Sequence, residues 1–177
     1  IVVFPGQPVP LHIFEERYKE MISDCEDGSF DHFGIVLAVG EAIADTGCTV
    51  VVSGRGQPYP DGSFDIVGKA ERCFTTVDTF ENRPYHTATV TYFDDEDTTE
   101  VDPGLKAAVE ERFARLVELA KRERGILSQV EDDSVQPSAE SGEVSFAVAA
   151  TLGMDLKQKQ HILEMRSESE RLQSLVD

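Results

Sequence analysis

The 177-residue chain carries 16 Lys and Arg residues against 34 Asp and Glu residues, which gives a formal net charge of −18 and a pI near 4.5. This balance argues against a nucleic-acid binder and against an anionic membrane surface as partner, because both attract clustered cations. Hydrophobic residues make up 40% of the chain, which is too apolar for a disordered acidic chain and predicts a packed core.

No part of the sequence resembles an export signal or a membrane span. No apolar run approaches about 18 residues, and the opening Ile1 to Phe4 run is followed at once by Pro5 and Gly6. We therefore expect a cytoplasmic location. The three cysteines lie too far apart for a CxxC motif, so we expect reduced thiols rather than a disulfide framework or a zinc site.

One helix is predicted early in the chain. Apolar residues at Phe14, Tyr18 and Ile22 recur at helical spacing, and Gly28 follows them, so residues 15–27 are expected to form an amphipathic helix. Those three apolar side chains are expected to face the core.

The rest of the first half has the composition of strands. Runs rich in Val, Ile, Phe, Tyr and Thr predict strands at residues 33–39, 48–53, 64–67, 73–77 and 86–93. Pro60, Asp61 and Gly62 supply the turn chemistry for a hairpin between two of these runs. The strands are expected to form an antiparallel sheet, closed in part into a small barrel because closure removes exposed edges.

The second half has the periodicity of helices. The acidic run 94–97 is expected to be a solvated linker, after which Asp102 and Pro103 cap and begin a helix that ends at Gly125. Residues 126–141 lack periodicity and are expected to form a surface connection.

Three shorter helices are predicted after this connection. The first covers residues 144–152, and Asp155 with Gln158 places a capping box at the start of the second. Ser167 and Glu170 open the third in the same way.

Motifs for catalysis and cofactor binding are missing from the sequence. Ser53 to Gly56 lacks the Lys of a phosphate-binding loop, and no GxSxG elbow or HExxH spacing occurs. In so acidic a chain, paired carboxylates are typical of a solvated surface. We therefore expect no catalytic residue, no cofactor and no metal.

Residues 4–18 read FPGQPVPLHIFEERY, a run that resembles the opening of the Lon protease N-terminal, substrate-binding domain. Further stretches are similar to the same family. They are the PDG turn at 60–62, Gly68 with Arg72 and Phe74, Pro84-Tyr85, the SFA of 145–147, the KQHILE of 159–164, and Arg171-Leu172.

The resemblance implies an α+β fold, in which a PUA-like β pseudobarrel with one early helix is followed by a C-terminal helical bundle. We place the β-rich subdomain at residues 1–97 and the helical subdomain at residues 98–177. Residues 47–52 match the family only loosely, and the stretch from Lys69 to Phe74 is one residue longer than its GxxRF pattern. A shifted register or a bulge is therefore expected in the middle strands.

Three functions follow from these observations. The first, implied by the resemblance, is a non-enzymatic domain that binds unfolded or partner protein segments, with a protease or chaperone machine as a candidate partner. The second is the N-terminal fragment of a full-length ATP-dependent Lon protease, although the chain shows no coiled-coil heptads leading toward an ATPase. The third is a small hydrolase or ligand-binding enzyme that uses Cys73 or His86, because a fold alone does not determine a function.

Candidate contact residues for a bound protein lie near the start of the chain. The Pro-rich opening and the outer side of the first helix together offer Phe4, Pro5, Val9, Pro10, Glu15, Glu16 and Lys19. The net charge predicts that basic partners associate faster, and that this advantage falls as salt screens it.

Overall fold

The computed structural model describes residues 1–96, 101–125 and 144–176, which form an α+β fold of five strands and five helices. The strands are β1 (Pro8–Ile13), β2 (Phe33–Val39), β3 (Ala42–Arg55), β4 (Phe64–Phe80) and β5 (Thr87–Tyr92). The helices are α1 (Glu16–Glu26), α2 (Pro103–Gly125), α3 (Val144–Thr151), α4 (Leu156–Glu164) and α5 (Glu168–Val176).

All five strands pair antiparallel in a single sheet of order β1-β4-β3-β2, with β5 also paired to β4. The long strand β4 holds β1 along its first part and β5 along its last part. The strands predicted at 64–67 and 73–77 are thus one strand, which continues through Gly68. The hairpin predicted around residues 60–62 is confirmed as the connection between β3 and β4.

The antiparallel sheet is not closed, so closure into a barrel is not confirmed. In the described residues β1 and β2 end the path of paired strands and do not pair with each other. Part of the apolar face of the sheet is covered by side chains of helices, among them Phe146 of α3 and Leu163 of α4. The rest of that face packs mainly on itself, with core side chains from β1 to β4 in contact with one another and with Ile22 of α1.

The middle strands carry the irregularity expected from the loose family match. The register of β3 against β4 shifts between Cys48 and Val50 and again between Val52 and Gly54. A bulge adds a residue to one strand and increases its twist, which lets the long β3–β4 ribbon bend over the core.

Helix α1 begins and ends close to the predicted bounds, and Gly28 follows it with φ of 83°, a conformation that suits glycine. Asp24 on this helix accepts hydrogen bonds from the Tyr85 hydroxyl and, at 2.6 Å, from Arg83 Nη1. These bonds tie α1 to the segment that precedes β5.

Tyr85 is expected to ionise at unusually high pH. Burial, together with the hydrogen bond to Asp24, raises the pKa of Tyr85 from 10.0 to about 12. The folded state therefore keeps this proton longer than the unfolded chain does, so the resulting stabilisation is present below pH 10 and is lost as the pH rises toward 12. A tyrosinate absorbance titration should show a late component that is smaller by one tyrosine in Tyr85→Phe, and a late component of unchanged size in this variant would contradict the assignment.

The helix starts predicted from capping residues are confirmed. Asp102 Oδ1 accepts from the Gly104 amide at 2.8 Å, and Pro103 is the first residue of α2. At α4, the Asp155 side chain accepts from the Gln158 amide while the Gln158 side chain accepts from the Asp155 amide, which is the predicted capping box. Residues 97 and 126–141, on which the predicted subdomain boundary and surface connection fall, lie outside the described residues.

The sheet and the helices share one apolar cluster. Val2, Phe4, Leu37 and Cys73 pack with α3 and α4, and the Phe4 ring stacks on Phe146 with centroids 5.6 Å apart. The division into two subdomains stays a prediction, and these contacts give the two parts a common core.

A buried ion cluster also joins the sheet to the helices. The guanidinium of Arg171 on α5 donates to both carboxylate oxygens of Asp95, just after β5, at 2.6 Å each. Arg171 also donates to Glu168 at 2.9 Å and to Ser145 of α3 at 2.8 Å, and it lies over the Phe146 ring. Its side chain is fully buried.

Candidate functional site

Three aromatic side chains lie together on the solvent side of the sheet. The His12 ring centroid is 6.1 Å from that of Phe14 and 5.7 Å from that of Tyr59. Phe14 is 63% exposed and Tyr59 is 48% exposed, although both are large apolar residues. We call His12, Phe14 and Tyr59 the aromatic patch.

Side chains along β1 alternate between the core and the solvent, and this alternation puts His12 of the patch on the solvent side. Val9 and Ile13 point into the core, so Pro10 and His12 between them point outward. Across the strand pair, His12 lies opposite Asp65 and Pro10 lies opposite the exposed Val67. Pro10 and Val67 therefore extend the apolar surface beside the patch.

Phe14 and Tyr59 reach the patch from two short connections. Phe14 lies between the end of β1 and the N-cap residue Glu15 of α1, so it is outside the buried stripe of the helix. Tyr59 begins a turn in which its carbonyl accepts from the Gly62 amide at 2.9 Å, and Pro60 fixes φ at the second position. Gly62 has φ of 80°, which glycine adopts without strain.

Asp65 supplies a negative charge next to the aromatic patch. Its carboxylate is 2.7 Å from His12 Nδ1 and 2.6 Å from the Tyr59 hydroxyl. The hydrogen bond from Tyr59 makes the largest contribution to lowering the pKa of Asp65, and the hydrogen bond from His12 lowers it further. The Asp65 carboxylate in turn raises the pKa of Tyr59. An ionised carboxylate only accepts hydrogen bonds, so His12 holds its hydrogen on Nδ1. A negative charge is thus held beside the His12 ring and the Tyr59 hydroxyl.

Two of the predicted contact residues are buried, and for them the expectation of an exposed contact is wrong. Val9 faces the core because of the strand alternation described above. Phe4 is fully buried because it fills the space between the sheet and α3, where its ring stacks on Phe146.

The other predicted contact residues are at the surface or near it. Pro10 is exposed, and Pro5 is partly buried at the junction of the sheet with the helices. Glu15 pairs with Arg17 at 2.7 Å, and Glu16 pairs with Lys19 at the same distance. The Lys19 ammonium lies 3.5 Å from where a Cβ on Gly62 would be, which brings the start of α1 next to the Tyr59 turn.

Sequence reasoning missed most of the aromatic patch. Phe14 was expected in the core, and neither His12 nor Tyr59 was singled out as a contact residue. The signal available for His12 was the alternation of PVPLHI, in which every second residue is apolar and non-proline. Nothing in the sequence gives the strand register that sets His12 opposite Asp65.

The free edge of β1 is unsuited to strand addition. Pro8 and Pro10 lack backbone N–H groups, so these positions cannot donate to a further strand. A partner on this side of the sheet would therefore be held by side chains of the patch rather than by strand pairing.

The described structure keeps apart the two residues that the hydrolase hypothesis names. Cys73 is buried in β4, whereas His86 precedes β5, whose first residue pairs with Phe80. Seven positions of extended chain separate Cys73 from Phe80, which is about 23 Å. Within the described part of the chain, no three His, Cys, Asp or Glu side chains are grouped as metal ligands, and no helix is long and apolar enough to cross a membrane.

The small cavity between sheet and helices is lined in part by an ion pair that is already formed. It has a volume of about 210 Å³ and is bordered by Pro5, Cys73, Phe146 and the Arg171–Asp95 pair. Ligand sites usually enclose about 300–1,000 Å³, so this cavity is a weaker candidate site than the aromatic patch.

Comparisons with known proteins agree on one family. A family model described as the ATP-dependent protease La (LON) substrate-binding domain matches residues 1–177. A solved structure of a Lon N-terminal domain protein from Xanthomonas campestris is 20% identical with a TM-score of 0.73, and the match covers 99% of this chain and 91% of that one. The N-terminal domain of Mycobacterium avium complex Lon protease is 18% identical with a TM-score of 0.66 and the same coverage.

Proposed function

Because this chain belongs to the ATP-dependent protease La (Lon) substrate-binding domain family, we propose that it binds unfolded or partner protein segments on its aromatic patch and performs no chemistry on them. The exposed patch is the observation that carries this proposal. Apolar side chains of a folded partner are mostly buried, so exposed rings of this kind favour segments whose own apolar residues are accessible.

The surroundings of the patch support a protein-binding role. Pro10 and Val67 continue the apolar surface, and Glu15, Glu16 and Lys19 form a charged border next to it. An apolar centre with a polar rim is the usual anatomy of a protein interface. Rigid rings also provide contact area at a small loss of conformational entropy.

The family is also compatible with a second function. In this alternative the chain is the N-terminal part of a full-length Lon protease and recognises substrates for the attached ATPase and protease modules. The same surface would serve both cases, since each requires an unfolded segment to be held. In either case a protease or chaperone machine is the partner we propose. We further propose a cytoplasmic location and a PUA-like arrangement of the sheet followed by a C-terminal helical bundle.

Replacing the two exposed rings should weaken binding without unfolding the protein. We expect Phe14→Ser combined with Tyr59→Ser to reduce affinity for a reduced, unfolded model protein about tenfold or more, because aromatic residues usually dominate interface energy. The free energy of unfolding should change by less than about 1 kcal/mol, because both side chains are exposed. Titration with a fluorescently labelled unfolded protein measures the affinity, and urea denaturation measures the free energy of unfolding.

The matched control replaces two other exposed apolar residues, Ile43→Ser and Val77→Ser. This variant removes a similar amount of exposed apolar surface away from the patch and should bind like the unmodified chain. Equal loss of affinity in both double variants would show that binding is not localised on the patch. Equal binding of the folded and unfolded forms of the model protein would overturn the proposed preference for unfolded segments.

A further inference from the structure

Arginine side chains of this protein repeatedly stack on its own aromatic rings. The Arg17 guanidinium lies 4.7 Å from the Tyr18 ring centroid, and Arg83 lies 5.2 Å from that of Phe30. Both of these rings are exposed at the surface. The protein thus covers exposed rings with its own guanidinium groups, an arrangement that ring electrostatics favours.

The aromatic patch has no such cover. Within the described part of the chain no Lys or Arg lies over Phe14 or Tyr59, and the only ring neighbour of both is His12. Arg17 and Lys19, in the first turn of α1 that follows Phe14, are each held by a carboxylate of their own at 2.7 Å. The outward faces of Phe14 and Tyr59 are therefore open to a cation from another molecule.

Asp65 makes this position attractive for a positive charge. Its two oxygens each accept one hydrogen bond, from His12 and from Tyr59, and each oxygen retains a further lone pair. The carboxylate is about half exposed, so an arriving group can reach it. The formal net charge of −18 adds a long-range attraction for basic segments.

We propose that the aromatic patch receives an arginine side chain of the bound segment, its guanidinium stacked on the Phe14 and Tyr59 rings and facing the Asp65 carboxylate, with neighbouring apolar residues on Pro10 and Val67. This inference rests on the proposed function and names the class of segment that the same site selects. Arginine fits better than lysine because its planar group stacks on rings and donates to a carboxylate at the same time.

The test uses the whole chain and two disordered peptides that differ at one central position. One peptide carries arginine there, flanked by Leu residues, and the other carries citrulline, which has the same shape without the charge. We expect the arginine peptide to bind about five- to tenfold more tightly at low salt. In the variant Phe14→Leu with Tyr59→Leu the apolar area remains but the ring faces are gone, and the preference should fall to about twofold or less.

Each other outcome has a definite meaning. If both peptides bind the unmodified chain equally well and more tightly than they bind the Phe14→Ser, Tyr59→Ser variant, the arginine inference is overturned while the proposed function stands. If the preference persists in the leucine variant, net charge rather than ring stacking selects the arginine, and the inference is again overturned. If neither peptide binds, the proposed function and the inference fail together.

Discussion

Gly47→Ala should destabilise the protein severely, by about 3 kcal/mol or more, because no space exists for a methyl group at this position. A Cβ on Gly47 would overlap the backbone carbonyl oxygen of Ile35 and would lie 2.7 Å from the Phe74 ring and from Val36 Cγ1. The Phe74 ring also passes 2.9 Å from the Cβ position of Gly34, so it lies across two glycines. Neither the β2 backbone nor the buried ring can move away without breaking the sheet. Urea denaturation measures the loss.

Gly54→Ala is the matched control, since Gly54 lies in the same strand and nothing is within 4 Å of its Cβ position. Its substitution should change the free energy of unfolding by less than about 1 kcal/mol, because alanine only reduces the freedom of the unfolded chain there. Similar unfolding free energies for the two variants would contradict the close packing of Phe74 against β2 and β3.

Arg171→Met should lower the free energy of unfolding by about 3–5 kcal/mol, because it leaves the carboxylates of Asp95 and Glu168 without their shared cation. The Arg171 side chain is fully buried, and those of Asp95 and Glu168 are only 20% and 17% exposed. Methionine has a similar length and fills much of the space, so the loss reports mainly on the charge cluster. Thermal and urea unfolding of the variant measure it.

Arg166→Met is the control for this prediction. Arg166 pairs with Glu96 at 2.7 Å and lies over the Phe93 ring, so it also joins the end of the sheet to the segment before α5, but the two side chains are 42% and 71% exposed. Exposed ion pairs contribute little, and we expect a loss below about 1 kcal/mol. If Arg171→Met and Arg166→Met lower the free energy of unfolding by equally small amounts, the buried ion cluster does not hold the helices on the sheet.

The features that sequence predicted well are those determined by neighbouring residues. The capping box of Asp155 with Gln158, the Asp102 cap and the Gly28 stop each depend on contacts within a few positions. The turn beginning at Tyr59 is local in the same sense. Such signals predicted where helices and hairpins begin and end, without information on the rest of the chain.

The strands were harder to predict because the tertiary structure overrides their local composition. Pro8 and Pro10 hid β1, which tolerates them because one edge of this strand is free. Gly68 divided β4 in the prediction, yet a Cβ there would overlap Val50, so close packing requires glycine within a continuous strand.

The site was missed for a related reason. Phe14 belongs by spacing to the apolar stripe of α1, but the helix starts after it, and the ring turns to His12 instead. Asp95 belongs to an acidic run that was expected to be solvated, but its partner Arg171 lies 76 positions away in sequence. Only the fold brings such pairs together.

The most direct test of the central claim maps where an unfolded protein binds. The isotopically labelled chain is titrated with a reduced, unfolded model protein, and chemical shifts of backbone amides and aromatic side chains are followed by NMR. We predict that the largest changes cluster on His12, Phe14, Tyr59, Asp65 and Val67, and that the folded form of the same protein causes none. Changes confined to the helices or to the β2 edge would contradict the assignment of the aromatic patch as the binding surface.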